Sequence, residues 1–330
     1  MARLRIGCLG AADIAAAALV KPASLSSDAT CYAIAARDPA RAAAFAERHH
    51  VPVTHDSYQD LLADGNVDAV YIPLPNSLHA KWTLLALEAG KHVLCEKPFT
   101  ANAAEAARVA QAADQTGLAV MEAFHWRYHP LAERMLEIVH GGELGKVRRL
   151  EAVFCFPLPK RDNIRWSLGL AGGAMMDAGC YAVHLVRTLA GAEPSVVSAE
   201  ARTRFPEVDR VTRAELSFLD GRTASVTASM WSARLFDMSV TVIGDRRAMH
   251  VIQPTNPQHF HRLRVRGPGF ERVERFRSGT TYAHQLNAFA AAVAGSPTVL
   301  TPPGDSVANM RVIDDIYRAA GLEPRRGATD

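Results

Sequence analysis

Short apolar runs alternate with helical patterns through the first third of the chain. Residues 4–9 read as a buried strand that runs into Gly10 and an alanine-rich helix. The same unit recurs as strand 31–36 with helix 39–49, strand 67–72 with helix 78–89, and strand 92–95 with helix 103–116, before a last strand at 118–122. Gly90 and Gly117 stand where helices prefer to stop. Strands separated by helices of this length need crossover connections, so the pattern predicts a parallel, doubly wound α/β sheet.

The rhythm then changes. After a helix at 130–140 come a strand at 148–156, a loop that includes 157–168, and a helix at 175–189. Seven strands follow at 196–205, 212–219, 223–231, 238–243, 248–252, 263–266 and 271–276. The alternation in Ala214-Glu215-Leu216-Ser217-Phe218 and Ala224-Ser225-Val226-Thr227-Ala228 suits antiparallel strands with one covered face. Helices beginning at His284 and Ser306 close the chain. Two domains are therefore expected: residues 1–124, doubly wound, and residues 125–330, α+β with a large, mainly antiparallel, open-faced sheet. An uncovered sheet face predicts self-association as a dimer or tetramer.

Composition narrows the function classes. Across 330 residues, Lys+Arg 37 against Asp+Glu 34 leaves a net charge of +3, too small for an electrostatic nucleic-acid partner. No run reaches the ~18 apolar residues of a membrane span. Cys8, Cys31, Cys95, Cys155 and Cys180 form no C-x-x-C pair, which argues against a disulfide framework or a structural zinc. With no signal-peptide pattern at the start, a cytoplasmic protein is expected. Arginine outnumbers lysine 31 to 6, which draws attention to each lysine.

Gly10-Ala11-Ala12-Asp13-Ile14-Ala15 is a degenerate G-x-G-x-x-G/A fingerprint: Gly10 for the tight turn, Ala15 for close packing, and a helix N-terminus facing a pyrophosphate. The second strand ends in Arg37-Asp38, with Arg41 one turn on. An acid there would suit the ribose of NAD, and an arginine a 2′-phosphate, so NADP is favoured with NAD as the alternative. The competing reading makes Arg37 a solvated side chain and Asp38 a helix cap. Glu96-Lys97-Pro98 leaves the fourth strand at the ligand edge of such a sheet, where an amine can bind a substrate oxygen. Asp177, Tyr181 and His184, introduced by Gly172-Gly173-Ala174-Met175-Met176, share a helical stripe suited to acid–base work on a hydroxyl, unless the stripe is simply solvated. Arg165-Trp166 add a cation and an aromatic plane for a phosphate or nicotinamide. His125 and His129 have metal-ligand spacing without an evident third ligand. The basic tail around Arg325 and Arg326 is expected to fray.

Taken in order, the fingerprint, Ile72-Pro73-Leu74-Pro75-Asn76-Ser77-Leu78-His79, Glu96-Lys97-Pro98 and Asp177-Ala178-Gly179-Cys180-Tyr181 resemble the glucose–fructose oxidoreductase/inositol dehydrogenase (Gfo/Idh/MocA) family along nearly the whole chain. The stretch Ala123 to Pro130 and Gly-Gly-Ala-Met-Met-Asp are most similar to the dimeric dihydrodiol dehydrogenase and NADP-dependent xylose dehydrogenase branch. The resemblance implies a Rossmann domain that binds NADP through Gly10, Ala11, Ala12, Asp13, Ile14, Arg37, Arg41, Pro73, Leu74, Asn76, His79, Glu96, Lys97, Arg165 and Trp166. It places Lys97 by the reacting carbon, Tyr181 at the proton donor's position, Asp177 at the substrate-orienting carboxylate, and Arg127 and His184 near substrate. Ala12 and Asp13 depart from the family's more glycine-rich, often basic loop, and His184 from its usual Asp, Asn or Gln. The implied activity is hydride transfer between nicotinamide and a sugar, polyol or cyclic dihydrodiol. The alternatives are a nicotinamide-using glycosidase on the same site and a non-catalytic NADP-binding regulator.

Overall fold

A computed structural model describes residues 3–328 and divides the chain into two compact units. The first contains six strands, β1 (Leu4–Leu9), β2 (Ala29–Ala35), β3 (Val53–His55), β4 (Ala69–Ile72), β5 (His92–Cys95) and β6 (Val120–Glu122). All pair in parallel, in the order β3-β2-β1-β4-β5-β6. That is the doubly wound order, so the α/β expectation holds. The missed β3 is a three-residue edge strand just after Pro52, and the short helix Tyr58–Ala63 was also absent from the pattern.

The core of this unit is built from the buried faces of the strands, including Ile6, Cys8, Ile34, Tyr71, Leu94 and Met121. Leu286 and Phe289 from the helix Thr281–Val293 belong to it as well. The units therefore do not divide in one cut. Ala101–Ala103 already belong to the second unit, the chain passes to it again at Tyr128/His129, and residues Gly279–Val307 return to the first unit. The buried leucine and phenylalanine are the reason, because leaving two such side chains in water would cost several kcal/mol.

The second unit carries β7 (Val147–Cys155), β8 (Ser195–Phe205), β9 (Val208–Ser217), β10 (Thr223–Ser229), β11 (Asp237–Gly244), β12 (Ala248–Ile252), β13 (Arg262–Gly267) and β14 (Phe270–Glu274). They form one sheet, β14-β13-β12-β11-β7-β10-β9-β8, antiparallel except for the central β7/β10 pair. Leu150, Ala152 and Phe154 on β7 and Ala224, Val226 and Ala228 on β10 make the covered face, against which the helix Cys180–Ala190 lies. The opposite face is polar: Arg149 is paired with both Glu151 and Glu215. The tail does not fray where it was expected to. Arg325 is 2% exposed. Among the described residues no helix is long and apolar enough to cross a membrane.

Candidate functional site

In the first unit the strand order reverses between β1 and β4, and ligands of such sheets bind outside the strand ends at that reversal. Gly10 leaves β1 there with φ +121°, and a Cβ on it would stand 3.1 Å from Leu74 Cδ2. The positive φ calls for glycine, and the close leucine leaves little room for a side chain. Ala12 precedes the helical turn Asp13–Ala15 in extended conformation and offers no side-chain cap. Its methyl therefore leaves the helix N–H groups open to an anion. Ala11 and Ala12 are half-buried, while Asp13 and Ile14 are exposed. The helix then loosens into a π turn, Ala16–Val20.

At the end of β2, the Asp38 carboxylate accepts from Ala40 N at 3.0 Å and caps the helix Pro39–His49. Arg37 is exposed, and Arg41 Nη2 donates to Ala11 O at 3.1 Å, which holds its guanidinium beside the glycine turn. Tyr58, which sequence reasoning missed, brings its hydroxyl within 3.9 Å of the Gly10 Cβ position and rests edge-on against Trp82. Burial raises its pKa, partly offset by a backbone hydrogen bond from Arg37. Two guanidinium groups with the local carboxylate engaged elsewhere fit a phosphorylated ribose.

The Glu96-Lys97-Pro98 segment is locked from several sides. The Tyr71 hydroxyl donates to Glu96 Oε1 at 2.7 Å, and Lys97 N donates to Glu96 Oε2 at 3.2 Å. Beyond the cis Lys97–Pro98 bond, Phe99 N donates to Glu122 Oε1 at 2.9 Å. His79 bridges two loops, with Nδ1 2.7 Å from Pro98 O and Nε2 2.7 Å from Leu74 O. Expected to contact cofactor, it is fully buried, and both ring nitrogens face backbone. It acts as a spacer between the Pro73–Asn76 stretch and the lysine segment. Burial, helped by Lys97, holds its pKa down to about 4 against the pull of the two carbonyls. His125, likewise buried and near Lys97, is held at about 3. Its Nδ1 meets Thr281 Oγ1 at 2.8 Å, while His129 Nδ1 accepts from Leu131 N and caps the helix Pro130–His140. One ring nitrogen of each histidine thus has a structural partner. Arg127 is half-buried, and burial lowers its pKa.

The second unit presents the other expected side chains. The predicted 175–189 helix begins as a π turn, Met175–Gly179, before the α-helix Cys180–Ala190. π turns concentrate at functional sites, and five residues are too few for a periodicity argument to detect one. Arg165 Nε donates to Asp177 Oδ2 at 2.7 Å. Tyr181 is 8% exposed and stacks on Phe154, with centroids 5.0 Å apart. His184 is buried too, which excludes a solvated stripe. Trp166 is buried against Phe205 with the Arg204 guanidinium over its ring, so its face is covered by protein.

Comparison with known proteins agrees with this architecture. Residues 4–124 match the oxidoreductase family with an NAD-binding Rossmann fold, and residues 132–250 the GFO/IDH/MocA C-terminal domain. A D-xylose 1-dehydrogenase (NADP(+)) of Haloferax volcanii is 39% identical over 318 residues, 96% of this chain and 97% of that protein. A trans-1,2-dihydrobenzene-1,2-diol dehydrogenase of Mus musculus is 36% identical over 211 residues, covering 63% and 62%. The crystal structure of a 3-ketoreductase from Actinomadura kijaniata with NADP and TDP-benzene superposes with a TM-score of 0.90 at 28% identity, covering 96% of this chain and 98% of the other. That ketoreductase has also been crystallised with a tyrosine changed to phenylalanine and with a lysine changed to alanine. Those two residues stand as far apart in its sequence as Lys97 and Tyr181 do here. Matches that run through both units leave one conclusion: the chain belongs to the Gfo/Idh/MocA family of oxidoreductases, whose first domain is an NAD-binding Rossmann fold.

Proposed function

We propose that the protein is an NADP-dependent dehydrogenase acting on a hydroxyl or carbonyl carbon of a sugar, polyol or cyclic dihydrodiol. Gly10, the open N–H groups after Ala12, Arg37 and Arg41 would hold the dinucleotide, with Tyr58 beside the glycine turn. NADP, when bound, supplies the hydride acceptor of the oxidation. Tyr181 takes the hydroxyl proton, Lys97 stabilises the oxygen as its charge grows, and Asp177 holds a neighbouring hydroxyl. The base is the phenolate: the phenol first loses its own proton to solvent, and a nearby cation lowers its pKa to favour that.

The observation that carries the reading is the care with which the lysine is held. Tyr71, Glu122 and His79 each spend a polar atom on the segment that presents it, an arrangement of use where one amine must meet a developing charge. The equal separation of the lysine and tyrosine replaced in the ketoreductase supports the pairing of roles. The polar sheet face of the second unit would be the self-association surface of a homodimer or tetramer, measurable by light scattering.

The test is a panel of aldoses, polyols and dihydrodiols with NADP and NAD, followed by nicotinamide absorbance. On the best substrate, Lys97→Met and Tyr181→Phe should each lower kcat about 100-fold or more with NADP affinity within a few-fold. Full kcat in both variants overturns the roles. Turnover without net cofactor reduction would point to a glycosidase, and cofactor binding without turnover of any member to a regulator.

A further inference from the structure

Asp209, at the start of β9, is completely buried and accepts four hydrogen bonds. Tyr317 Oη at 2.9 Å and Arg325 Nη2 at 2.8 Å meet Oδ1, while Met175 N at 2.8 Å and Thr212 Oγ1 at 2.7 Å meet Oδ2. Arg325 reaches further. Its Nε donates to Gly172 O at 2.9 Å, its guanidinium lies 4.2 Å over the Tyr317 ring, and its own carbonyl accepts from Asn102 Nδ2. The pair thus grips the backbone at Gly172 O and Met175 N, on either side of Gly173.

Gly173 has φ +137°, and a Cβ there would run into Asp209 Oδ1 with Arg325 Nη2 3.0 Å away. Gly173 makes room for the ion pair, while a Cβ on Gly172 would strike Arg165 O instead. From Gly173 the connection to the site is short. Gly173 O accepts from Asp177 N at 3.0 Å, Gly173 N donates to Arg165 O at 3.0 Å, and Arg165 Nε holds the Asp177 carboxylate. Moving Gly172–Gly173 would move Arg165 and Asp177 together.

We infer that Arg325 is a positioning residue that acts through Asp209 and the Gly172–Gly173 turn on Asp177. This rests on the reading that Asp177 holds a substrate hydroxyl. A charged pair is costly to bury and, once buried, costly to break. An apolar plug would anchor the tail without that cost, but it could not bond Gly172 O or orient the carboxylate that holds Met175 N.

The experiment is a double-mutant cycle of Arg325→Lys with Asp177→Asn, read as kcat/KM for the sugar substrate and as NADP dissociation constant. Arg325→Lys keeps the charge but loses the planar fork. It should lower kcat/KM about tenfold, the weight of one lost hydrogen bond, with NADP affinity within twofold. Added to Asp177→Asn, it should cost no more than about twofold further, because the group it positions is already gone. Losses that multiply, unchanged kcat/KM, or an equal loss of NADP affinity overturn the inference. If Asp177→Asn by itself leaves kcat/KM unchanged, the reading of Asp177 falls and takes this inference with it, recognisably from that single variant. Should Arg325→Lys fail to fold, Tyr317→Phe removes one donor while keeping the ring, and the same cycle should show the same non-additivity at smaller size.

Discussion

Exchanging Arg37 and Arg41 for glutamine should convert an NADP enzyme into one nearly indifferent to the 2′-phosphate. Both side chains are exposed, so their charge acts through a water-like dielectric. At ~4 Å such a pair is worth about 1 kcal/mol per unit charge, and a phosphate carries nearly two charges. Arg41 is further oriented by its bond to Ala11 O, which spares it part of the ordering cost on binding. Each substitution should therefore weaken NADP by about 2 kcal/mol, or about 30-fold, and the pair by up to about 1000-fold. NAD, with a neutral ribose hydroxyl, should change less than about threefold on the same electrostatic argument. The assay is initial rate against each cofactor at saturating substrate, repeated at high salt, where the parent's NADP preference should shrink. Equal weakening of NADP and NAD would refute the argument, because the guanidiniums would then be serving a part common to both molecules.

Tyr71→Phe removes a buried, charge-assisted hydrogen bond to Glu96 and should cost about 2 kcal/mol of stability, together with a lower kcat as the lysine segment loosens. An unchanged melting temperature and kcat would count against that. Acid should destabilise the first unit early. His125 is held at about 3 by burial and Lys97, so as pH falls the unfolded chain takes up the proton first, near its ordinary 6.5. That stability is intact above about pH 6.5 and is lost at about 1.4 kcal/mol per unit below it, down to the folded value. His79 adds a loss of the same sign down to about 4. Denaturant midpoints should therefore slope downward between about pH 6.5 and 5, less steeply in His125→Gln, and parallel slopes would contradict this. Gly10→Ala forces an L side chain to φ +121° against Leu74 and should weaken dinucleotide binding by at least about 1–3 kcal/mol. Titration of protein fluorescence with NADP would show it.

The parallel sheet could be read from sequence because each of its main strands is a compact apolar run followed by a periodic helix. The open sheet could be read from strict alternation on β9 and β10. What escaped depends on distance or on brevity. β3 is three residues long beside a proline, and the π turns alter the pitch over five residues each. Arg325 reads as a solvated tail residue because nothing near it in sequence announces Asp209, its partner from β9. The candidate segments Glu96-Lys97-Pro98, Asp177 and Tyr181 were visible, but their supports were not: Tyr71, Glu122 and Phe154 look like core until the strands are paired. His79 and Trp166 carry motif positions and are also buried, which a motif does not announce, since it records which residue recurs and not which way it faces.

The return of Thr281–Val293 to the first unit has a consequence for synthesis. Domains usually fold from the N-terminus as they emerge from the ribosome. Here the nascent β1–β6 segment would lack Leu286 and Phe289 and would leave an oily seam open over Leu19 and Ile34 until nearly the whole polypeptide had been translated. The dinucleotide unit is thus the first to be made and among the last to be finished. A chain stalled before residue 281 would be a client for a holdase rather than a small working domain.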